Sequence, residues 1–411
     1  MNILIIGNFQ FPFGTADSSR MRHFALGLTE AGANVRVVCQ VPIYDRPEDI
    51  CPDGSRRYMG IQYESVMNTN YQYKEKLTLY GTFLYYTHFV FGAMKSATRA
   101  KEIFESGKID AIIQLNRSYI SLRPFVKLCK QMHVTFIQEI TEWPASHLFK
   151  LGVLGPFHLD CKLAMYRCIT KADGVVAISR FLTDFYAQRG VPTIRIPAII
   201  EIPEEMPEFS GTECENKEFN ITYLGGLFAR EGPLEMTGAI RKLLLKGLPV
   251  RLTIVGSSGV EGTALKFRKV CQADELLRDK VDFLGRVSDE EVVRRLQSAD
   301  ALVFPRINDI SSRAAFPTRL PEYLVSGRPV ITAGVGDIPE YLRDGIDAMV
   351  VSPCNAETIA QRIEDLMKMP DRGKSIGANG FERAREFFNY KTRTKQIFEF
   401  IQEVHKNKPK G

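Results

Sequence analysis

Three short stretches carry the residue types from which a transfer reaction could be built. The first is Phe316-Pro317-Thr318-Arg319-Leu320-Pro321-Glu322-Tyr323-Leu324, running on through Gly327 to Gly334-Val335-Gly336-Asp337. A helix capped by Thr318 and ended by Gly327 puts the carboxylate of Glu322 in its first turn. The second is Gly225-Gly226-Leu227-Phe228-Ala229-Arg230-Glu231-Gly232. Its glycines let backbone approach a ligand, and Arg230 can reach a diphosphate from the start of the next helix. The third is the opening loop, Gly7 to Arg20, where Gly14, Ser18, Ser19 and Arg20 could offer N–H groups, hydroxyls and charge to a phosphate or sugar. Ser18 or Ser19 could equally be a plain helix N-cap.

Further carboxylates stand at Glu139 and Glu142, in Gln138-Glu139-Ile140-Thr141-Glu142-Trp143. Either could orient an acceptor hydroxyl, or could serve packing and capping alone. The tryptophan, Trp143, reads as a sugar platform or as core. Gly-x-Gly-x-x-Gly and the Walker pattern are both missing, which argues against a dinucleotide oxidoreductase and a P-loop NTPase. No Asp-x-Asp pair offers to hold a divalent cation against a diphosphate.

These stretches fall at the ends of apolar runs that alternate with amphipathic segments, the signature of βα units and parallel sheets. Strand 2–6, a helix near 20–32, strand 35–39 and runs at 111–113, 135–137 and 174–178 make one series. Runs at 220–224, 251–255, 281–284, 301–304 and 329–332 make a second. With 411 residues, two doubly wound domains are expected: 1–200, a linker at 201–218 rich in Pro and acid, and 219–378. Apolar faces at Phe381, Ala384, Phe388 and at Ile397, Ile401 predict two closing helices over 379–411.

The net charge is +6, and residues 1–200 carry 23 Lys+Arg against 16 Asp+Glu. A basic face of this kind suits an anionic membrane or a phosphorylated acceptor. The aromatic stretch Leu77–Met94, between Lys76 and Lys95, is diluted by Thr78, Thr82, Thr87 and His88. It reads as a helix packed on the domain or as a peripheral membrane contact through residues 76–95. The eight cysteines form no Cys-x-x-Cys, consistent with reduced thiols in a cytoplasmic protein, at the inner face of the membrane if the contact is made. No signal peptide is visible at the first residues.

The segments YLGGLFAREG, TIVGSSG, VDFLGRVSDEE, SADALVFP and FPTRLPEYLVSGRPVITAGVGDIPEY resemble, in this order, family 4 glycosyltransferases. NFQFPFGTADSSRMRHFALGLTEAG and ADGVVAISRFL extend the resemblance into the N-terminal half. It implies the α/β GT-B fold: two Rossmann-like domains facing each other across a cleft, with a last helix crossing back to the N-terminal domain, which takes the acceptor.

It further implies that Glu322 receives the ribose hydroxyls of a donor nucleotide, a task suited to a carboxylate that accepts two hydrogen bonds. Gly285-Arg286-Val287 would meet the base, Gly336 and Asp337 the donor sugar and phosphates. Gly225, Gly226, Gly256 and Thr318 complete the expected donor site. Three positions depart from the family: Gly226 and Glu231 stand where Arg and Lys are usual, and Ala314 stands where a sugar-binding glutamate is usual. The cationic clamp then falls to Arg230 and Arg319, and the sugar contact to a neighbour such as Asp309 or Arg313.

The resulting expectation is a retaining transfer of sugar from a UDP- or GDP-linked donor to a hydroxyl of a glycan or lipid-linked acceptor, in polysaccharide or glycolipid synthesis. No metal or other cofactor and no nucleic-acid partner is expected. The alternative is a catalytically silent GT-B protein that binds a nucleotide or a partner glycosyltransferase. An epimerase is separable because it turns over donor without acceptor.

Overall fold

The computed structural model describes residues 1–44, 46–67, 79–146, 152–208, 218–256 and 261–408, with side chains of 79–88, 229 and 261–264 excepted. The chain divides into two units, Met1–Glu201 with Tyr390–Gly411, and Ile202–Asn389.

Unit 1 contains β1 (Asn2–Gly7), α1 (Ala16–Glu30), β2 (Asn34–Cys39), β3 (Arg56–Tyr58), β4 (Ile61–Ser65), α2 (Leu79–Ser106), β5 (Ala111–Leu115), α3 (Tyr119–Gln131), β6 (Thr135–Ile140), α4 (Pro156–Leu163), β7 (Gly174–Ala177), α5 (Arg180–Ala187) and β8 (Thr193–Arg195). Among the described residues these strands form one sheet of order β3-β4-β2-β1-β5-β6-β7-β8. The β3–β4 pair is antiparallel and the rest are parallel. Ile3 to Ile6 are buried on both faces, as a continuous apolar run in a covered parallel strand requires. The order reverses between β1 and β5, so the loops after these strands diverge and leave room at their carboxyl ends.

Unit 2 follows with β9 (Phe219–Leu224), α6 (Pro233–Leu245), β10 (Val250–Val255), α7 (Glu261–Ala273), β11 (Val281–Gly285), α8 (Asp289–Gln297), β12 (Ala301–Phe304), α9 (Ile310–Ala314), α10 (Leu320–Leu324), β13 (Val330–Ala333), α11 (Ile338–Tyr341), β14 (Met349–Val351), α12 (Ala356–Lys368) and α13 (Pro370–Phe388). Its sheet, of order β11-β10-β9-β12-β13-β14, is parallel throughout and reverses between β9 and β12.

The last helix, α14 (Tyr390–Asn407), belongs to unit 1. It buries Tyr390, Thr394, Ile397, Ile401 and Val404, an alternation of four and three that keeps one face on the core. Thr394 sits so close to α1 that a Cβ on Gly27 would lie 1.9 Å from its Oγ1. Glycine is therefore the residue this helix crossing admits.

Three expected boundaries move. Residues 379–388 do not return to unit 1: Phe381, Ala384 and Phe388 are buried within α13 of unit 2, and the return begins at Tyr390. The expected linker 201–218 lies outside the described residues over 209–217. Its first part packs on unit 2, where the Glu208 carbonyl accepts from Arg328 at 3.3 Å and that of Glu204 from Arg385 at 2.9 Å. Helix α1 starts at Ala16, four residues before the expected point.

Candidate functional site

In unit 2 the carboxyl ends of β9, β10 and β11 meet as bare backbone. Gly225 N–H donates to Val255 O at 2.9 Å, and Gly256 N–H donates to Gly285 O at 2.7 Å. At Gly256, φ is +121° and a Cβ would lie 2.4 Å from Gly225 O, so a side chain is excluded both by conformation and by space. Gly226 lies against the Phe228 ring, 2.5 Å from where its Cβ would stand. The result, among the described residues, is a glycine-backbone shelf at the carboxyl ends of β9, β10 and β11, to one side of the β9–β12 switch point, open to close approach by a flat or charged ligand.

Helix α10 brings Glu322 to the end of this shelf. Leu320, Pro321, Tyr323 and Leu324 are all buried, so Glu322 is the residue of this turn left facing outward. Tyr323 ties the helix to β9: its hydroxyl accepts the Leu224 N–H and donates to the Leu224 carbonyl at 3.1 Å. Arg319 Nη1 donates to Glu322 Oε2 at 2.8 Å, with both side chains partly exposed. The expected Thr318 cap is not formed. Arg319 occupies the cap position and Pro321 the first turn, and the helix closes at Leu324 with Gly327 three residues beyond. Thr318 is half-buried in the preceding turn.

Arg230 lies in a short 3-10 turn after β9, its Nε 3.2 Å from Glu231 Oε1. Its carbonyl accepts from Ile307 N–H at 3.1 Å, joining the loops on either side of the switch point. Tyr223 records what converges there. Burial, then the charges of Glu231 and Tyr323, hold its phenol well above the usual range, while Arg306 and Arg319 act in the opposite direction.

Arg306, the second residue past β12, was missed by sequence reasoning. It is buried, and its Nε donates to Ser312 Oγ at 3.2 Å. Its place at a carboxyl strand end was the available signal. The position of Ala314 is fully buried in α9. Asp309 is committed as the α9 N-cap, accepting from Ser312 N–H at 2.7 Å. Arg313 is exposed, and Gly336 lies against its backbone. Asp337 is buried, whereas Arg286 is exposed beside Val287.

In unit 1 a set of charges gathers at the carboxyl ends of β1, β5 and β6. Arg20 is buried rather than turned toward a ligand: Nε donates to Glu139 Oε1 at 2.6 Å, and its terminal nitrogens donate to Pro197 O and Ile196 O at 2.6 and 2.9 Å. Glu139 is fully buried. Burial pushes its carboxyl up to about 6, against the opposing pull of Arg20. Three hydrogen bonds commit the guanidinium internally, while the second Glu139 oxygen, Oε2, is buried without a hydrogen-bond partner among the described residues. Their place is to fasten α1, β6 and the strand-β8 exit.

Ser18 is likewise buried, its Oγ accepting the Thr15 N–H at 3.0 Å; the N-cap is Thr15, so Ser18 is not the cap residue itself but the third helical position of a capping box. Ser19 is half-buried and Gly14 exposed. Glu142 remains accessible and pairs with Arg117 Nη1. Asp17 joins them: burial raises its carboxyl, with Arg117 pulling it down and Glu142 pushing it up. Trp143 is core, packed edge-on at 5.2 and 5.1 Å against Phe181 and Phe185.

The fold and site can be set beside known proteins. Sucrose-phosphate synthase from Thermosynechococcus elongatus superposes over 99% of this chain and 100% of its own, with TM-score 0.72 at 17% identity. HepE from Anabaena, solved with UDP and glucose, does so over 97% and 99%, with TM-score 0.66 at 15% identity. The chain has the GT-B fold. Residues 208–383, within unit 2, match the family described as glycosyl transferases group 1, and this segment is a domain of that family. The D-rhamnosyltransferase WbpZ of Pseudomonas aeruginosa is 32% identical over 145 residues, 35% of this chain and 36% of that protein. The chain thus spans about a third of the length of this curated relative.

Proposed function

We propose that the protein is a retaining glycosyltransferase of family 4 type, moving a sugar from a UDP- or GDP-linked donor to a hydroxyl of a glycan or lipid-linked acceptor at the cytoplasmic face of a membrane. The observation that carries this reading is the Arg319–Glu322 pair on α10, fastened by Tyr323 to the bare glycine shelf of unit 2. A nucleotide laid on the shelf presents its ribose to Glu322, and the pair opens to let the carboxylate accept two hydroxyls while Arg319 turns to the diphosphate. HepE, a structural neighbour solved with UDP and glucose, supports a nucleotide-linked sugar as the ligand.

The reaction breaks the bond between the anomeric carbon and the diphosphate oxygen, the acceptor oxygen forms the new one, and the hydroxyl proton passes to the departing diphosphate. Negative charge grows on the departing diphosphate, and Arg319 and Arg230, with the exposed N–H groups of the shelf, stabilise it. Arg306 reinforces the same field from beneath. On unit 1, Glu142, held by Arg117, orients the acceptor hydroxyl with Asp17 beside it. These cations do what a divalent ion would otherwise do, so the transfer proceeds without a metal cofactor.

The test is to incubate the protein in EDTA with UDP- and GDP-sugars and a lipid-linked acceptor fraction, then follow products by mass spectrometry and the anomeric proton by NMR. Transfer with unchanged anomeric configuration supports the reading. Donor turnover without acceptor would indicate an epimerase or hydrolase, and binding without turnover the silent protein.

A further inference from the structure

The outer helices of unit 1 expose an apolar patch that the transfer chemistry does not use. Val153, Leu154, Leu159, Leu163 and Tyr166 are 60, 80, 51, 48 and 45% exposed within fourteen residues of chain, and Ile120 on α3 adds 49%. Leu159, Leu163 and Tyr166 recur at four and three, so α4 and the π-helical turn that continues it, Ala164–Cys168, turn one apolar stripe to solvent. Ile120 joins this stripe, because its N–H donates to Asp160 Oδ1 at 3.2 Å. Leucines buried on the other side of a helix are ordinary; leucines gathered on the outer side mark a surface that something covers.

The charge around the stripe identifies the chemistry of what covers it. Helix α3 carries Arg123, Lys127 and Lys130, all exposed and without an acid on the helix. Residues 152–171 add exposed Arg167 and Lys171, with Lys162 half-buried over the Trp143 ring, against a single acid, Asp160, which is half-buried and turned to the α3 amides. An apolar stripe rimmed by five exposed cations and one half-buried carboxylate matches a surface with an acyl interior and an anionic headgroup layer. A protein partner or a second copy of this chain would have to present a correspondingly acidic face, whereas the exposed part of this patch is basic.

We propose that unit 1 docks on an anionic lipid surface through α3, α4 and the turn Ala164–Cys168. Of the aromatic segment 76–95, residues 76–78 and the side chains of 79–88 lie outside the described residues; on the remainder Phe91 and Met94 are the exposed large apolar groups, and they serve as the comparison surface in the test. Among the described residues no helix is long and apolar enough to cross a membrane; the proposed contact lays α3 and α4 along the lipid surface. The patch begins at the carboxyl end of β5, beside Arg117 and Glu142, so a docked unit 1 holds its acceptor-side charges at the lipid headgroups. The proposal deepens the transferase reading by naming the surface on which a lipid-linked acceptor is met, and it rests on that reading only for this last consequence.

The test is cosedimentation of the full chain with vesicles of phosphatidylglycerol and phosphatidylcholine, and with phosphatidylcholine alone. It compares wild type, L159S/L163S, K127E/K130E and F91S/M94S. Because the substituted side chains are exposed, the unfolding midpoint should stay put, and circular dichroism verifies this. The expected result is binding to anionic vesicles only, weakened tenfold or more in L159S/L163S and in K127E/K130E and unchanged in F91S/M94S. Absence of binding to anionic vesicles, equal binding by all variants, or loss confined to F91S/M94S would overturn the proposal. So would a dimer in analytical ultracentrifugation that L159S/L163S dissolves. A thermal shift by nucleotide sugars, read on the same samples, separates the two readings. Vesicle binding without a nucleotide-sugar shift leaves the docking surface standing and removes the transferase, and the reverse pattern does the opposite.

Discussion

Replacing Arg20 by Ala should cost unit 1 more than any exposed charge in the molecule. The guanidinium is 3% exposed and holds Glu139, itself 0% exposed, at 2.6 Å, along with two backbone carbonyls. Removing one partner of a buried pair leaves the other charge uncompensated, a loss of about 3–5 kcal/mol. With Arg20 present the Glu139 carboxyl already lies at about 6; without it the carboxyl must rise further and hold its proton at neutral pH. The variant then retains a proton that wild type has released above pH 6, so the loss should grow by about 1.4 kcal/mol per pH unit from pH 6 to 7 and shrink toward pH 5.

Trp143 is the single tryptophan and is buried in unit 1, so its fluorescence during urea denaturation reports this unit separately. A lowering of the midpoint by about 1–2 M at pH 7 is expected for a slope of 2–3 kcal/mol/M. Adding Glu139→Gln to Arg20→Ala should recover part of the loss, because the stranded carboxylate is gone. An unchanged midpoint at pH 7, the same loss at pH 5 and pH 7, or no recovery in the double variant would refute the reasoning.

Other expectations follow from particular contacts. Gly27→Val sets side-chain atoms into Thr394, where even a Cβ would be 1.9 Å from Oγ1; overpacking of this kind should destabilise unit 1 by about 1–3 kcal/mol, again read from Trp143. His23 is held down to about 4 from an ordinary 6.5, first by burial and then by Arg22 and Arg20. The unfolded chain therefore binds a proton between pH 6.5 and 4 that the folded chain refuses, so stability falls by about 3 kcal/mol as pH drops through that window. Glu139, raised to about 6, offsets part of this in the opposite sense. His23→Gln should lose correspondingly less between pH 6.5 and 4 in urea titrations. Gly256→Val collides with Gly225 O on the shelf and should abolish the thermal stabilisation given by a nucleotide sugar, which in wild type reaches about 2.7 kcal/mol at one hundred times the dissociation constant.

The strands that the sequence made legible are those buried on both faces, such as Ile3–Ile6 and Ala301–Phe304, where every side chain meets core and the apolar run is unbroken. The ones it hid are β4, an interior strand carrying Gln62 and Glu64, and the edge strands β3, with Arg56 and Arg57, β8, with Arg195, and the three-residue β14. A half-solvated edge tolerates charge, so its pattern resembles a loop. Glu322 and Arg319 were legible because α10 is apolar around them. The pairing of Arg20 with Glu139, for which packing was one of two readings, was not legible because they stand 119 residues apart, and a charged residue beside a strand end reads alike whether it points to solvent or into an ion pair. Asp17 and Arg117 went unrecognised for the same reason. Thr318 failed as a cap because Pro321 and the buried Leu320 set where the helical turn can begin.

The most direct test of the central claim is isothermal titration calorimetry of UDP, GDP and their sugars, in EDTA, against wild type and Glu322→Ala. The account predicts that one nucleotide series binds wild type without metal and that the variant binds at least tenfold more weakly, the loss of hydrogen bonds to a charged group being about 1.5–3 kcal/mol. Equal affinity in the two proteins, or no binding by either series, would contradict it.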